Sequence, residues 1–351
     1  MTKSRPSRTL PAEWAPQSGV MLTWPHAQGD WAANLDAVER VYLELAQAIS
    51  PRELLLVVCN DFDHQQHVQQ RLNAASIAPS RIQFARQASN DSWARDHGPI
   101  TILEYGQPHL LDFQFNGWGG KYPHDLDNRI TAGLHATGIF GATPLETLEL
   151  VLEGGSIDSD GDGTLLTTRA CLGHPGRNPQ LSMVEVEQQL KSLLGVERIL
   201  WLEHGELAGD DTDSHIDMLA RFCDPRTIAH STCTDPGDVH FVELSAMQKE
   251  LAAMRRLDGE AYELVALPIP QAIHNQEGQR LPASYANFLI INGAVLVPQY
   301  DDAADAVALA RLTACFPTRE VMGVNCRAVI EQFGSLHCLT MQLPEGVLNA
   351  T

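Results

Sequence analysis

Apolar residues recur at three-to-four spacing in five stretches, at about 33–49, 62–76, 182–194, 243–256 and 303–315. That is the signature of helices with one buried face. Between them run shorter aliphatic and β-branched segments: GVMLTW (19–24), LLLVVC (54–59), PITIL (99–103), TLLTT (164–168), IDMLARF (216–222), ANFLIINGAVLV (286–297) and the alternating stretch 336–342. These predict strands, and helices alternating with strands make the class α/β. Five segments share a finer pattern, a polar, charged lead-in that runs straight into an apolar strand. They are NDSWARDHGPITIL (90–103), LEGGSIDSDGDGTLLTT (152–168), GDDTDSHIDMLARF (209–222), LPASYANFLIINGAVLVP (281–298) and FGSLHCLTMQLP (333–344). Their recurrence at unequal intervals of roughly fifty to seventy residues is consistent with a modular closed architecture. Pro and Gly are scattered rather than gathered at a boundary, so a single domain is expected over residues 1–351.

Solubility alone explains a net charge, which becomes informative only if carboxylates also line a pocket. The chain carries 24 basic and 44 acidic residues, a formal charge of −20. Such a surface repels phosphate backbones and anionic membranes and concentrates small cations. No apolar run is long enough to cross a bilayer, and the opening MTKSRPSRTLPAEW has no apolar signal core, so the cytoplasm is the expected location. Seven cysteines, an odd number without a CxxC pair, weigh against a disulfide framework and a thiolate zinc site.

Several polar positions suggest chemistry, each beside a plainer explanation. In WARDHGP (93–99), Asp96 lies between Arg95 and His97 before a Gly-Pro turn, and turn formation alone accounts for an Asp there. In LEGGS (152–156), Glu153 precedes two glycines, which let the backbone approach either a ligand or a hairpin partner closely. DSDGDG (158–163) opens like a calcium loop, but position twelve is Arg169 and the flanks read as strands. A bidentate Glu and flanking helices are required there, so a solvated hairpin turn is expected. In GDDTDSHIDM (209–218), side chains 211, 213, 215 and 217 would share one face of an extended chain. Clustered Asp211, Asp213 and Asp217 would suit a bound cation, or simply an acidic surface loop. Without a second metal-spaced His or an HExxH, no metal is expected. Trp93 and Trp118 fall beside Asp and Gly turns, where an indole can wall a flat cation or fill core. Cys338 follows His337; adjacent strand residues face opposite ways, so its base would come from elsewhere, with His215 the obvious choice.

WARDHGP, FNGWGGKY, LEGGSI, DDTDSHID, LPASYANFLI and SLHCLTMQ, taken in order with the opening PAEWAPQSGVMLTWP, form a set. It resembles the agmatine deiminases of bacteria and plants, within the wider family that includes the Porphyromonas-type peptidylarginine deiminase. The resemblance implies a pentein fold, a closed α/β propeller of five pseudo-symmetric ββαβ modules around a central site. It also implies hydrolysis of a guanidinium group with no cofactor and no metal. Carried over by motif, Cys338 would be the nucleophile and His215 the acid and base, held by Glu153. Asp96 and Asp217 would grip the guanidinium, and Asp211, Trp93 and Trp118 would line the channel for the substrate's tail. Two motifs depart from the family pattern. FGSLHC stands where GGGN-x-HC is usual, and DTDSHIDM where DTNGHVDN is usual. The implied reaction converts agmatine and water to N-carbamoylputrescine and ammonia, toward putrescine. Peptidyl-arginine or another guanidine is the alternative substrate, and a non-catalytic polyamine or guanidine binder is the alternative class. The expected partner is a small cation rather than nucleic acid or membrane, and a homodimer is implied.

Overall fold

The computed structural model describes residues 7–349, whose strands form five sheets. Each sheet holds an antiparallel pair followed, after a helix, by a parallel strand. Ile100–Glu104 and Gln107–Gln114 are joined by Leu145–Val151, and Ile157–Ser159 and Thr164–Thr168 by Arg198–Leu202. Ala220–Asp224 and Thr227–Thr232 take up Glu263–Pro268, and Leu289–Ile291 and Ala294–Gln299 take up Glu320–Asn325. The last sheet joins the two ends of the chain. Thr340–Pro344 pairs with Gln17–Thr23, which continues in parallel to Leu54–Cys59 and Ile82–Arg86. The α/β class is therefore as the pattern predicts.

The helices follow the three-to-four spacing closely. Leu35–Ile49 buries Val38, Val41, Tyr42, Leu45 and Ile49, one stripe of its surface. Met183–Leu194 starts at a capping box, with Ser182 and Glu185 each satisfying the other's backbone N–H, and ends at Gly195 with φ 69. That left-handed C-cap favours glycine. Leu54–Cys59 is buried at all six positions, as a strand in a parallel interior must be. No helix among the described residues is long and apolar enough to cross a membrane.

The strand expectations need three corrections. Residues 216–222 begin with a 3-10 turn, Ile216–Met218, before the strand Ala220–Asp224. Residues 336–342 likewise place Cys338 in the 3-10 turn His337–Leu339. The long run 286–297 is a hairpin, Leu289–Ile291 and Ala294–Gln299, turning at Asn292-Gly293 with Gly293 at φ 72. The turns occur where the lead-in meets its strand. The first two lead-ins have a similar device, a single α-helical turn at Ala94–His97 and a 3-10 turn at Gly154–Ser156. A tight turn can aim consecutive side chains to one side, which a strand cannot.

Candidate active site

The turns Ala94–His97, Gly154–Ser156, Ile216–Met218 and His337–Leu339 pack on one another, and they bring Asp96, Glu153, His215, Asp217 and Cys338 together. Gly155 lies at the meeting point. A Cβ added there would lie 2.7 Å from His215 Nδ1, 2.8 Å from Asp96 Oδ1 and 3.1 Å from Asp217 Oδ2. The close backbone approach expected of the paired glycines is thus made toward the site. Gly155 N–H also donates to Asp96 Oδ1 at 3.0 Å, and Trp118 Nε1 donates to the other oxygen at 3.0 Å. Cys338 Sγ lies 3.6 Å from Asp217 Oδ2 and 3.3 Å from Asn287 Nδ2. It is buried, but among polar groups rather than hydrocarbon.

Two features mark the cluster as open to a cationic donor. Asp217 Oδ1 and both ring nitrogens of His215 are buried without a hydrogen-bond partner among the described residues. Buried polar atoms are normally satisfied, so the unpartnered carboxylate oxygen of Asp217 marks a place for a ligand's donor and the open His215 nitrogens a place for proton transfer. The electrostatics are mutually dependent. Burial raises Asp96 to about 6, and Asp217 and Glu153 add to that while His215 opposes it. Burial alone would lower the His215 imidazole, but Asp96, Cys171 and Glu153 outweigh it and hold the ring protonated well above its ordinary range. Burial would raise Asp217, yet the hydrogen bond and charge of His337 bring it below the usual carboxylate value. The Cys338 thiol is pushed well up by burial, then by Asp217 and Asp96.

Glu153 comes within 4.8 Å of a ring nitrogen of His215, and Cys171 joins them at the same limit. Its two oxygens, however, accept from Arg177 Nε at 2.9 and 3.0 Å. These three residues are the set whose atoms could meet on a metal ion, and the Arg177 charge beside them opposes a cation.

Above Cys338 is a narrow cavity, with about 30 Å³ of free space for water centres. Trp93, Trp118, Tyr122, Asp211 and Phe333 form its walls. Trp93 Nε1 donates to Asp91 at 2.9 Å and Tyr122 Oη to Asp211 at 2.8 Å, so wall and acid hold each other in place. Both tryptophans are also part of the buried core, so the two explanations for them apply together. The expectation that residues 211, 213, 215 and 217 share one extended face does not hold. Asp213 and Ser214 have φ 65 and 68, which breaks the extended run. Asp211 faces the cavity, Asp213 turns to Lys121 and Arg177, and only His215 and Asp217 enter the reacting cluster. Like charges in so short a segment separate toward different partners. The DSDGDG segment is a hairpin flanked by strands and is solvated at its tip, where Asp162 is exposed, but not at its start. Asp158 is buried and accepts from Phe222 N–H at 2.6 Å.

The family model for Porphyromonas-type peptidyl-arginine deiminase matches residues 9–344. The chain belongs to that family. A Porphyromonas gingivalis structure described as a "putative arginine deiminase" is 50% identical, with TM-score 0.90, covering 97% of this chain and all of its own. A C. jejuni agmatine deiminase, a cysteine-to-serine variant with substrate bound, is 36% identical with TM-score 0.89 and covers 97% of each chain. An Enterococcus faecalis agmatine deiminase is 31% identical with TM-score 0.85 and covers 96% of each. Membership accounts for the order of the motifs along this chain.

The motifs contain partners that the sequence reading left unassigned. Asn287, within LPASYANFLI, contacts Cys338 and accepts from His337 N–H at 2.8 Å. His337 does not face away from the site. Its Nδ1 lies 2.9 Å from the same Asp217 oxygen that Cys338 approaches. Arg177 lies outside every quoted motif, and no periodicity or spacing marks it.

Proposed function

We propose that this protein hydrolyses the guanidinium group of agmatine to give N-carbamoylputrescine and ammonia. The observation that carries the reading is the convergence of Asp96, Asp217 and His215 beside Gly155, with Cys338 Sγ 3.6 Å from Asp217 Oδ2 and Asp217 Oδ1 unpartnered. A guanidinium is a flat, permanently charged fork of N–H donors, and two carboxylates hold it bidentately. Its carbon is a weak electrophile, so fixing it within about 3–3.5 Å of sulfur supplies the proximity the reaction needs. The Cys338 thiolate bonds to that carbon, giving a tetrahedral adduct. His215 gives its proton to one nitrogen, the C–N bond breaks and ammonia leaves. The thiouronium so formed is attacked by a water that passes its proton to His215. The C–S bond then breaks, the adduct's hydroxyl proton passes to the departing sulfur to restore the thiol, and the ureido product leaves.

Agmatine is favoured by the far end of the cavity. Asp30, Asp91 and Asp211 line it, with no Lys or Arg among the lining residues. These acids suit a terminal amine and repel a carboxylate. A wider cleft of about 420 Å³ shares Asp30, Asp91, Trp118 and Tyr122 with the cavity, and it favours a second reading, a longer guanidine such as peptidyl-arginine. Ammonia release across agmatine, arginine and an arginyl peptide separates the two. Agmatine should lead arginine by about 10²-fold or more in kcat/KM, since like charges brought together cost several kcal/mol. No release from any of the three would leave a binding protein. The same reading takes residues 1–351 as a single domain acting in the cytoplasm. It takes the five sheets as the modules of a closed pentein propeller, and Glu153 as the group that holds His215 during the reaction.

Gly155→Ala is expected to lower kcat/KM by about 10²-fold or more with the native circular dichroism spectrum kept. The added methyl would press on His215, Asp96 and Asp217 together, and misplacement by an ångström costs that much. Wild-type turnover in this variant would mean that the three groups do not act as one set.

A further inference from the structure

Behind Asp217, away from the cavity, lies a chain of buried groups that the reaction steps leave unused. His337 Nδ1 is 2.9 Å from Asp217 Oδ2, and its Nε2 is 2.8 Å from Glu13 Oε1. The ring is fully buried between the two carboxylates. Glu13 comes from the segment ahead of the strand Gln17–Thr23 and lines a separate cavity that shares no residue with the one above Cys338. It is held by Arg221, by Gln342 Nε2 at 2.8 Å and by Arg95 Nη1 at 3.3 Å. Asp158 faces Arg221 from the neighbouring hairpin at 3.4 Å. A carboxylate is thus inserted from the N-terminal segment and fixed by two guanidiniums on the far side of the ring.

We propose that Glu13 and His337 are positioning residues, a relay that pins Asp217 Oδ2 beside Cys338 and Gly155 and so fixes the orientation of the unpartnered Oδ1. The inference rests on the deiminase reading for its consequence and on this geometry for its content. A neutral imidazole donates from one nitrogen only, so it can satisfy one of the two carboxylates and turns a lone pair on the other. Only the doubly protonated ring serves both. Burial, Arg221 and Arg95 oppose that charge and outweigh the support of Glu13 and Asp217, so the ring is held below its ordinary value. Glu13 itself is held well below the usual carboxylate range; burial opposes this, but Arg221, His337 and Arg95 outweigh it. How readily His337 takes a second proton therefore depends on Glu13, and the hold on Asp217 depends on the donor at the Nδ1 position. An acid on the N-terminal segment thus acts on Asp217 through the ring between them.

The test uses Glu13→Gln, His337→Asn and His337→Gln in the full chain. The Asn amide places a donor near the Nδ1 position and keeps the contact with Asp217, whereas Gln reaches toward Nε2 and loses it. With folding verified by circular dichroism, His337→Asn should keep kcat/KM within about 10-fold of wild type, and His337→Gln should lose about 10²-fold or more. Glu13→Gln should move the acid limb of the kcat/KM–pH profile upward, because Asp217 loses a charged donor and ionises at higher pH. A merely structural role would scale the profile without moving it. Independently of turnover, nitrogen NMR of histidine-labelled protein, with the signal identified by its loss in His337→Asn, should follow the ring taking up its second proton as pH falls. In Glu13→Gln that proton should bind only at lower pH, because the supporting carboxylate is gone. An unchanged His337 titration in Glu13→Gln, or equal losses in the two His337 variants, overturns the relay. Absence of ammonia release with the NMR result intact overturns the deiminase reading and leaves the relay standing.

Discussion

Cys338→Ser is expected to lower ammonia release from agmatine by on the order of 10⁴-fold or more, while agmatine still binds. The serine hydroxyl is a far weaker nucleophile than a thiolate, and removing an attacking group costs that much where no neighbour replaces it. Binding should survive because Asp96 and Asp217 are not altered and their attraction for a guanidinium does not depend on sulfur. Calorimetry of agmatine binding to the variant checks this, and loss of both binding and turnover would assign Cys338 to structure. The surroundings of the thiol make a linked prediction. Burial first, then Asp217 and Asp96, push Cys338 well above its ordinary value, so the free enzyme holds it as the thiol. A guanidinium seated between the two acids cancels their field, and the thiol ionises at lower pH. Thiolate absorbance titrated with and without guanidine should show that fall, and superimposable curves would reject substrate-assisted ionisation.

The sequence pattern carried the helices and the interior strands because those elements answer to burial on one face or two. LLLVVC is buried throughout and reads as such. The strands it did not mark include the third, parallel strand of four of the five sheets. Leu145–Val151 has Glu146 and Glu149 within it, and Glu320–Asn325 contains Gly323. Both are half-exposed, so neither alternation nor an apolar run distinguishes them. The site was legible where its residues sit in polar lead-ins, and those include all five reacting positions. It was illegible where partners meet across long separations. Glu13 and His337 are 324 residues apart in the chain, and nothing local in PAEW points to an imidazole.

The two departures from the family pattern have a physical meaning in the fold. Ser214 stands where the family has glycine and adopts φ 68, and Phe333, also at a glycine position, adopts φ 63. Both are left-handed conformations that glycine takes without strain and a bulky residue does not. The backbone has kept the shape that glycine allows, with larger side chains placed on it. Phe333 lines the cavity beside Trp93, so its ring narrows the entrance at a point where a glycine would leave room. Met218, at the position usually held by asparagine, is buried in the apolar core and does not reach the cavity.

Arg177→Met should destabilise the fold by about 3–5 kcal/mol and lower kcat as well. Arg177 and Glu153 are both fully buried, and the guanidinium Nε meets both carboxylate oxygens at 2.9 and 3.0 Å. Its remaining nitrogens donate to Asp213 Oδ2 at 2.7 Å and Thr212 O at 2.8 Å. One side chain thus neutralises a buried acid and ties down the loop that carries His215. Removing it strands the Glu153 charge, and breaking a buried pair from one side costs that much. The partner change separates the two roles. In Arg177→Met with Glu153→Gln, the stranded charge is gone, so the urea midpoint should recover most of its loss. Turnover should stay below that of Glu153→Gln alone, because the loop at Thr212 and Asp213 stays untied and His215 with it. A single variant with an unchanged urea midpoint would show that Glu153 needs no partner. A double variant that regains stability and matches the turnover of Glu153→Gln alone would show that Arg177 does nothing for His215.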